Sequence, residues 1–206
     1  MAVSFDLFDT LVSVDTPGSP AAAVAAELRD RGVSVPSDFG DAYREVHIEA
    51  PAGAEVPLPA HVAAALSSRG VDAPNNAARR AVVAAFDPEV ERREGARAAI
   101  DAAADRGPVA LCSNCSVPEL VGRTLVRARL RGSFDAVVTS VGCGWRKPDA
   151  ITFEHVGAQL GVETDSIVHV GDDPETDGGI ETVGGEFVDV AETPLSSLPE
   201  YLESGP

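Results

Sequence analysis

Short apolar runs alternate with longer amphipathic stretches over the second half of the chain. The runs are three or four residues long, and each is followed by polar or glycine-rich positions. We interpret them as buried strands at residues 3–5, 109–112, 136–139, 167–170 and 187–190. Helices are predicted between them at residues 91–104, 117–129 and 150–160. This alternation predicts an α/β fold with a doubly wound parallel sheet.

The chain between the first strand and residue 91 has a different pattern. It is rich in alanine, is broken by Pro and Gly, and contains no stretch rich in β-branched residues. Helices are predicted at residues 21–29, 38–49, 60–68 and 74–86. We therefore expect an inserted helical bundle, so that residues 1–14 and 91–206 form the α/β core and residues 15–90 form a helical cap.

The charge of the chain excludes some partners. Sixteen Lys and Arg stand against 33 Asp and Glu, a net charge of −17, and Lys147 is the single lysine. This acidity favours a salt-rich cytoplasm, as in a halophilic archaeon, where charges are screened over about 3 Å. An acidic protein from a GC-rich mesophile is the alternative. In either case the field has the wrong sign for binding nucleic acid or an anionic membrane.

The sequence also bears on the cell compartment. The first residues lack the basic segment of a signal peptide, and no apolar run is long enough to span a membrane. Three cysteines in such a chain do not predict a disulfide framework. Cys112 and Cys115 form a C-x-x-C pattern, but no second pair completes a zinc site. We expect a cytoplasmic protein, and the sequence leaves its oligomeric state open.

Polar residues that could carry chemistry follow the predicted strands. Asp6, Ser113 and the pair Asp172–Asp173 each come directly after a strand, and Lys147 lies in the loop beyond residue 139. Ligands of parallel sheets bind at the edge where the strands have their carboxyl ends. We therefore expect these side chains to meet in one crevice.

Four segments resemble the ordered motifs of the haloacid-dehalogenase-like superfamily of hydrolases. They are residues 4–11 (SFDLFDTL), 111–114 (LCSN), 144–149 (GWRKPD) and 168–177 (VHVGDDPETD). The resemblance covers nearly the whole chain, and the helical insertion resembles the α-helical cap of that superfamily. It implies a small-molecule substrate and an aspartate nucleophile, Asp6.

The resemblance also implies roles for the other motif residues. Ser113 and the backbone N–H of Asn114 would contact a phosphate, and Lys147 would neutralise Asp6 and the transferring group. Thr10 would contact the phosphate or cap the following turn. Asp177 would orient Lys147 or a water.

A bound Mg²⁺ is the implied cofactor. Its ligands would be Asp6, the backbone carbonyl of Phe8 and Asp172, with Asp173 either a further ligand or a group that orients one.

Position 8 departs from the phosphatases of the family. Many of them have an aspartate there that protonates the leaving group, whereas this chain has Phe8. Loss of a general acid costs about 10²–10⁴ in rate. Asp9 is expected to point elsewhere, because neighbouring residues of a strand face opposite sides.

Three functions remain open at this point. The first is a Mg²⁺-dependent hydrolase that acts on a small phosphorylated metabolite through an aspartyl-phosphate. The second is a 2-haloacid dehalogenase, which has an aromatic residue at this position but needs no metal. The third is a weakly catalytic, phosphate-binding member of the family.

Overall fold

The computed structural model describes residues 1–204, so the last two residues of the predicted core segment lie outside the described part. The strands are β1 Ala2–Phe5, β2 Val12–Val14, β3 Val90–Arg92, β4 Val109–Ser113, β5 Ala136–Thr139, β6 Ile167–Gly171 and β7 Glu186–Asp189. The α-helices are α1 Pro20–Asp30, α2 Phe39–Arg44, α3 Leu58–Ser67, α4 Ala77–Ala85, α5 Ala96–Arg106, α6 Leu120–Arg127, α7 Ser140–Cys143, α8 Ala150–Leu160 and α9 Leu198–Ser204. Among these helices none combines the length and the apolar character that crossing a bilayer requires.

Five strands form one parallel sheet in the order β5-β4-β1-β6-β7. All residues of β1, β4 and β6 are buried, because a central strand of a parallel sheet is covered on both faces. That burial explains why these strands appear in the sequence as continuous apolar runs. The predicted parallel α/β fold is confirmed.

The two faces of the sheet support separate hydrophobic clusters. Val109 and Leu111 of β4 belong to the larger cluster, whereas Ala110 and Cys112 belong to the smaller one, which includes Phe153 of α8. Successive residues of a strand point to opposite faces, so one short strand serves both clusters. Helices therefore cover both faces of the sheet, as the doubly wound prediction requires.

Helices α1 to α4 lie between β2 and β3 in the chain. Helix α4 packs against α1 and α3, and α2 packs against α3. The two segments that connect these helices to the rest of the chain pair as an antiparallel ribbon, with Val12 opposite Arg92. The division into a core and a cap at residues 15–90 agrees with this chain order and stays a prediction.

Two predicted helices differ from the observed ones. Residues predicted to start a helix at Glu91 instead form β3, where Glu91 pairs with Ser13. A pairing between distant segments overrides local helix propensity, and the helix begins only at Ala96. The predicted helix at residues 38–49 ends at Arg44, where the imidazole of His47 donates to the carbonyl of Ala42 at the last turn.

Candidate active site

The predicted site residues meet at the carboxyl edge of the sheet. Asp6 follows β1, and its backbone N–H donates to the carbonyl of Val170 at 2.9 Å. Ser113 ends β4, and Asp172 follows β6. The loop after α7 brings in Lys147, whose ammonium reaches Asp6. The sheet therefore assembles groups that are up to 166 residues apart in the chain.

Lys147 is at the centre of a buried network. Its Nζ lies 2.7 Å from Oδ1 of Asp6, 2.5 Å from Oδ1 of Asp177 and 2.8 Å from the carbonyl oxygen of Cys112. Its side chain is 1% exposed, and those of Asp6 and Asp177 are 10% and 2% exposed. An ammonium has three N–H donors, and here each has an acceptor. The contact between Asp177 and Lys147 that the resemblance implied is present.

Burial and charge set the protonation of this network. Burial raises the pKa of Asp6 to about 6, against the opposing charge of Lys147. Burial alone would lower the pKa of Lys147, but the carboxylates of Asp6 and Asp177 outweigh it and raise that pKa. For Asp177, burial is outweighed by the hydrogen bond from His169 and the charge of Lys147, so its pKa is lowered. At neutral pH, Asp6 is therefore an ionised carboxylate beside an ammonium.

His169 extends the network beneath the sheet edge. Its Nε2 lies 3.1 Å from Oδ1 of Asp177, and its Nδ1 lies 2.7 Å from the hydroxyl of Ser4. Burial lowers the pKa of His169, so the ring is neutral. The ionised Asp177 can only accept, so Nε2 carries the proton and Nδ1 accepts from Ser4.

The sequence predicted the burial of His169 but not this role. The sequence shows only one polar residue within each of two apolar strands, and it is the structure that places Ser4 and His169 directly opposite each other.

Asn114 holds the loop that carries Lys147. Its side-chain amide accepts from the backbone N–H of Lys147 at 2.8 Å and donates to the carbonyl of the same residue at 3.0 Å. The side chain thus fixes the loop, a role that the sequence did not predict. The predicted contact of the Asn114 backbone N–H with substrate stays a prediction.

Ser113 has a buried hydroxyl without a partner. The residue is 1% exposed, and within residues 1–204 nothing pairs with its Oγ. A buried unpaired polar group costs about 1–3 kcal/mol, and a missing ligand is one explanation for it. The hydroxyl at the end of β4 is therefore available to a bound molecule.

The acidic motif contributes two carboxylates with different surroundings. Asp172 is half-buried and accepts from Oγ1 of Thr10 at 2.7 Å. Burial raises its pKa, and the charges of Asp177 and Asp9 add to that. Asp173 is exposed, and its carboxylate accepts from the backbone N–H of Glu175 and the hydroxyl of Thr176. Asp172 therefore faces the other acids, whereas Asp173 holds its own loop.

These groups suit a hard cation with few protein ligands. No group of three His, Cys, Asp or Glu side chains in residues 1–204 is arranged to hold a metal. Mg²⁺ is usually bound by one or two carboxylates, with water and substrate oxygens as the other ligands. Asp6 and Asp172 supply two carboxylates, and no backbone N–H of the described chain donates to the carbonyl of Phe8. The residues present therefore fit the predicted ion.

A cavity of about 230 Å³ opens beside the site. Phe8, Asp9, Phe86, Asn114 and Arg146 are among the residues that line it. β1 ends at Phe5, so strand alternation does not apply to Phe8 and Asp9. The chain turns at Asp9, which has a φ of 60°, and both residues line the cavity. That the carboxylate of Asp9 points away from the leaving group stays a prediction.

A larger cleft of about 660 Å³ lies along α6 and β5. None of the motif residues lines it, so the smaller cavity is the candidate substrate site.

A family model of haloacid dehalogenase-like hydrolases matches residues 1–179. The chain belongs to this family. Among curated protein sequences, none matches this HAD-like hydrolase.

Solved structures give the same fold at low sequence identity. A 2-haloacid dehalogenase from Pseudomonas syringae pv. Tomato DC3000 is 21% identical and has a TM-score of 0.74, with 100% of this chain and 99% of the other covered. A predicted phosphoglycolate phosphatase from Haemophilus somnus 129PT is 15% identical with a TM-score of 0.57, and the match covers 91% of this chain and 84% of the other. The HAD-hydrolase YfnB from Bacillus subtilis, bound to magnesium, is 17% identical with a TM-score of 0.53, and the match covers 90% of this chain and 84% of the other. Both phosphatases and dehalogenases therefore share this fold.

Proposed function

We propose that this HAD-like hydrolase cleaves small phosphorylated metabolites through an aspartyl-phosphate on Asp6. The observation that carries the proposal is the pairing of Asp6 with a buried ammonium while a second carboxylate, Asp172, follows the neighbouring strand β6 and accepts a hydrogen bond from Thr10. Displacement of a halide needs a nucleophile and an ammonium but has no use for the second carboxylate. A phosphoryl group held by a cation does use the second carboxylate, because that carboxylate helps to bind the cation.

Mg²⁺ would be held by Asp6, the carbonyl of Phe8 and Asp172. When bound, it would offset the negative charge of the phosphoryl oxygens and of the two carboxylates. Asp173 would stabilise the loop that follows Asp172 and would not bind the ion directly, since both of its oxygens accept hydrogen bonds within that loop.

The chain's own residues divide the remaining work. Asp6 attacks phosphorus and forms the covalent intermediate, which water then hydrolyses. Lys147 keeps Asp6 ionised and neutralises charge that develops on the transferring group. The unpaired hydroxyl of Ser113 donates to a phosphoryl oxygen, and the backbone N–H of Asn114 adds a second donor.

Phe8 limits the range of efficient substrates. A phenyl ring cannot protonate a leaving oxygen, and that loss costs about 10²–10⁴ in rate for poor leaving groups. Acyl phosphates release a carboxylate that needs no proton. We therefore propose that acyl phosphates are cleaved faster than alkyl phosphates.

The proposal includes the helical cap and the cellular setting. Residues 15–90 would cover the site and exclude water, with Phe86 contributing to the cavity wall. The protein would act on small molecules in the cytoplasm, without nucleic acid or a membrane as partner.

A 2-haloacid dehalogenase is the second candidate. It is favoured by Phe8 on the cavity wall and by the fold shared with the Pseudomonas syringae enzyme. It predicts halide release from 2-chloropropionate in the presence of EDTA. A phosphate-binding protein without turnover would instead show a rise in Tm with phosphate and Mg²⁺.

The test measures phosphate release from acetyl phosphate and p-nitrophenyl phosphate with Mg²⁺ in high KCl. We expect turnover that Asp6→Asn lowers by at least about 10³-fold, because the nucleophile is lost. Asp101→Asn, an exposed carboxylate on α5, is the matched control and keeps wild-type activity. Equal rates for wild type and Asp6→Asn across a broad panel of phosphates would remove the phosphatase proposal.

A further inference from the structure

Arg146 contributes the positive charge on the wall of the candidate substrate cavity. The residue precedes Lys147 in the chain and lines the cavity, whereas the ammonium of Lys147 lies in the buried network. It is the one cation among the described residues that line this cavity. Because the chain is so acidic, the presence of a guanidinium on the wall of this cavity calls for a physical explanation.

The cap region holds Arg146 in place. The guanidinium donates to Oε2 of Glu55 at 2.8 Å, and the Glu55 side chain is 3% exposed. The same oxygen accepts from the hydroxyl of Ser140 at 2.5 Å, and that hydroxyl accepts from the backbone N–H of Cys115 at 2.8 Å. The carboxylate of Glu55 is thus held by Ser140, which is itself bound to the backbone of Cys115, and it can orient the guanidinium of Arg146.

The backbone adds to this attachment. The N–H of Arg146 donates to the carbonyl of Gly53 at 2.9 Å, and the N–H of Glu55 donates to the carbonyl of Gly144 at 2.8 Å. Ala54 and Trp145 form an antiparallel bridge between the two segments. Arg146 is therefore ordered before a ligand arrives, which lowers the entropic cost of binding.

Most donors of Arg146 remain available. A guanidinium has five N–H donors, and the structure gives this one a single hydrogen bond within residues 1–204. Its side chain is 45% exposed. A planar fork of free N–H groups matches the two oxygens of a carboxylate.

Two carboxylates line the cavity besides this cation. They are Asp15 and Asp9, and Asp9 is near enough to Asp172 for their charges to interact. Arg146 neighbours Lys147, whose backbone is bound to Asn114. Phe8, Phe86 and Leu120 also line the cavity. Among the described residues, the lining therefore combines apolar side chains with a single cation that a substrate carboxylate could pair with.

We propose that Arg146 is a specificity residue that binds a carboxylate at the non-reacting end of the substrate. The substrate would be a short apolar body with the reacting group at one end and a carboxylate at the other. This inference rests on the proposed function, since it assigns the substrate class of the same site. Glu55 acts as a positioning residue through Arg146.

The experiment compares two acyl phosphates that differ in one carboxylate, benzoyl phosphate and 4-carboxybenzoyl phosphate. We expect wild type to prefer the carboxylated compound in kcat/KM. Arg146→Gln should lower kcat/KM for that compound by about 10- to 100-fold, as expected for a lost charge-assisted hydrogen bond, and lower it for benzoyl phosphate by less than about threefold. Equal losses on both compounds would overturn the inference while leaving the proposed function intact.

Two further variants separate specificity from folding. Arg146→Gln leaves the buried Glu55 without its cation, so the double variant Arg146→Gln/Glu55→Gln removes that unpaired charge and should show the same change in preference. Arg97→Gln on α5 makes the same substitution at an arginine that is 51% exposed, and should leave both rates unchanged. A double variant that regains the preference for the carboxylated compound would contradict the role of Arg146.

A binding measurement does not depend on turnover. Benzylphosphonate and 4-carboxybenzylphosphonate are titrated calorimetrically into wild type and Arg146→Gln in the presence of Mg²⁺. We expect wild type to bind the carboxylated phosphonate about 10-fold or more tightly than the other, and Arg146→Gln to bind both alike. Equal binding of the two by wild type, or no binding of either, overturns the inference even if phosphatase activity is present.

Discussion

Two kinds of ion pair occur in this protein, and they differ in burial more than in chemistry. In the crevice, Lys147 contacts Asp6 and Asp177 with side chains that are 1%, 10% and 2% exposed. On the outer face of α5, Arg97 and Asp101 lie 3.0 Å apart with side chains that are 51% and 58% exposed. Solvent and salt screen the second pair, whereas the first lies where unpaired charges are costly. The distance between two charges therefore says little about their contribution unless the burial of both side chains is known.

The largest expected effect is the removal of the buried ammonium. Lys147→Met should lower the free energy of unfolding in EDTA by about 3–5 kcal/mol, because it leaves Asp6 and Asp177 buried without their cation. Arg97→Met should lower it by only about 0–1 kcal/mol. Urea denaturation of both variants measures the difference. Similar losses of unfolding free energy in Lys147→Met and Arg97→Met would show that burial does not distinguish the crevice pair from the surface pair.

A smaller effect is expected from the protonation of Asp6. Its pKa is raised to about 6 in the folded protein from 3.8, so folding favours its protonated form. The stability that Asp6 contributes is present below pH 4 and is lost as the pH rises through 6, by about 3 kcal/mol at most.

The measurement compares wild type with Asp6→Asn in EDTA from pH 4 to pH 7.5. Wild type should lose stability relative to the variant as the pH rises. A difference between the two proteins that does not change with pH would contradict the raised pKa of Asp6.

Ser113 extends the comparison of buried and exposed groups to a buried group that carries no charge. Ser113→Ala should leave stability unchanged or raise it by up to about 1 kcal/mol, because the lost hydroxyl has no partner in the described chain. It should lower kcat/KM for acetyl phosphate by about 10- to 100-fold. Thr124→Val is the matched control, since its hydroxyl is also buried without a partner but lies in α6. Loss of activity in the control and not in Ser113→Ala would exclude the role of Ser113.

The smallest expected effect is the response of the surface pair to salt. A double-mutant cycle on Arg97 and Asp101 should give a coupling energy of about 0.3–0.5 kcal/mol at low salt. At 1 M KCl, where the screening length is about 3 Å, the coupling should fall toward zero. A coupling that persists at high salt would mean that this pair behaves like the buried one.

Much of the fold followed from local patterns. Strands β1, β4, β5, β6 and β7 were predicted within one residue at each end, because each is a short apolar run with polar or glycine-rich positions after it. Strands β2 and β3 were missed, since each has three residues and exists because it pairs with the other. A pattern of side chains cannot reveal a partner that lies about 78 residues away in the chain.

The site residues were predictable where the proposed reaction requires one particular residue type. Asp6, Lys147 and Asp177 were expected together, and the structure brings them within hydrogen-bond distance. The support beneath them was not expected, because Ser4 and His169 look like ordinary strand residues in the sequence. Arg146 and Glu55 were also overlooked. Arg146 lies in the third motif segment, where only Lys147 was assigned a role, and Glu55 lies in the cap region outside all four motifs.

The sequence by itself determined the family, the parallel sheet and the residue types at its edge, because apolar runs and ordered motifs are local properties of the chain. The tertiary structure decided which charges are buried, which hydroxyl lacks a partner, and that Phe8, Asp9 and Arg146 share one cavity. The physical reason is that burial and pairing depend on segments far apart in the chain, and these meet only when the sheet has formed and the cap region has docked against it.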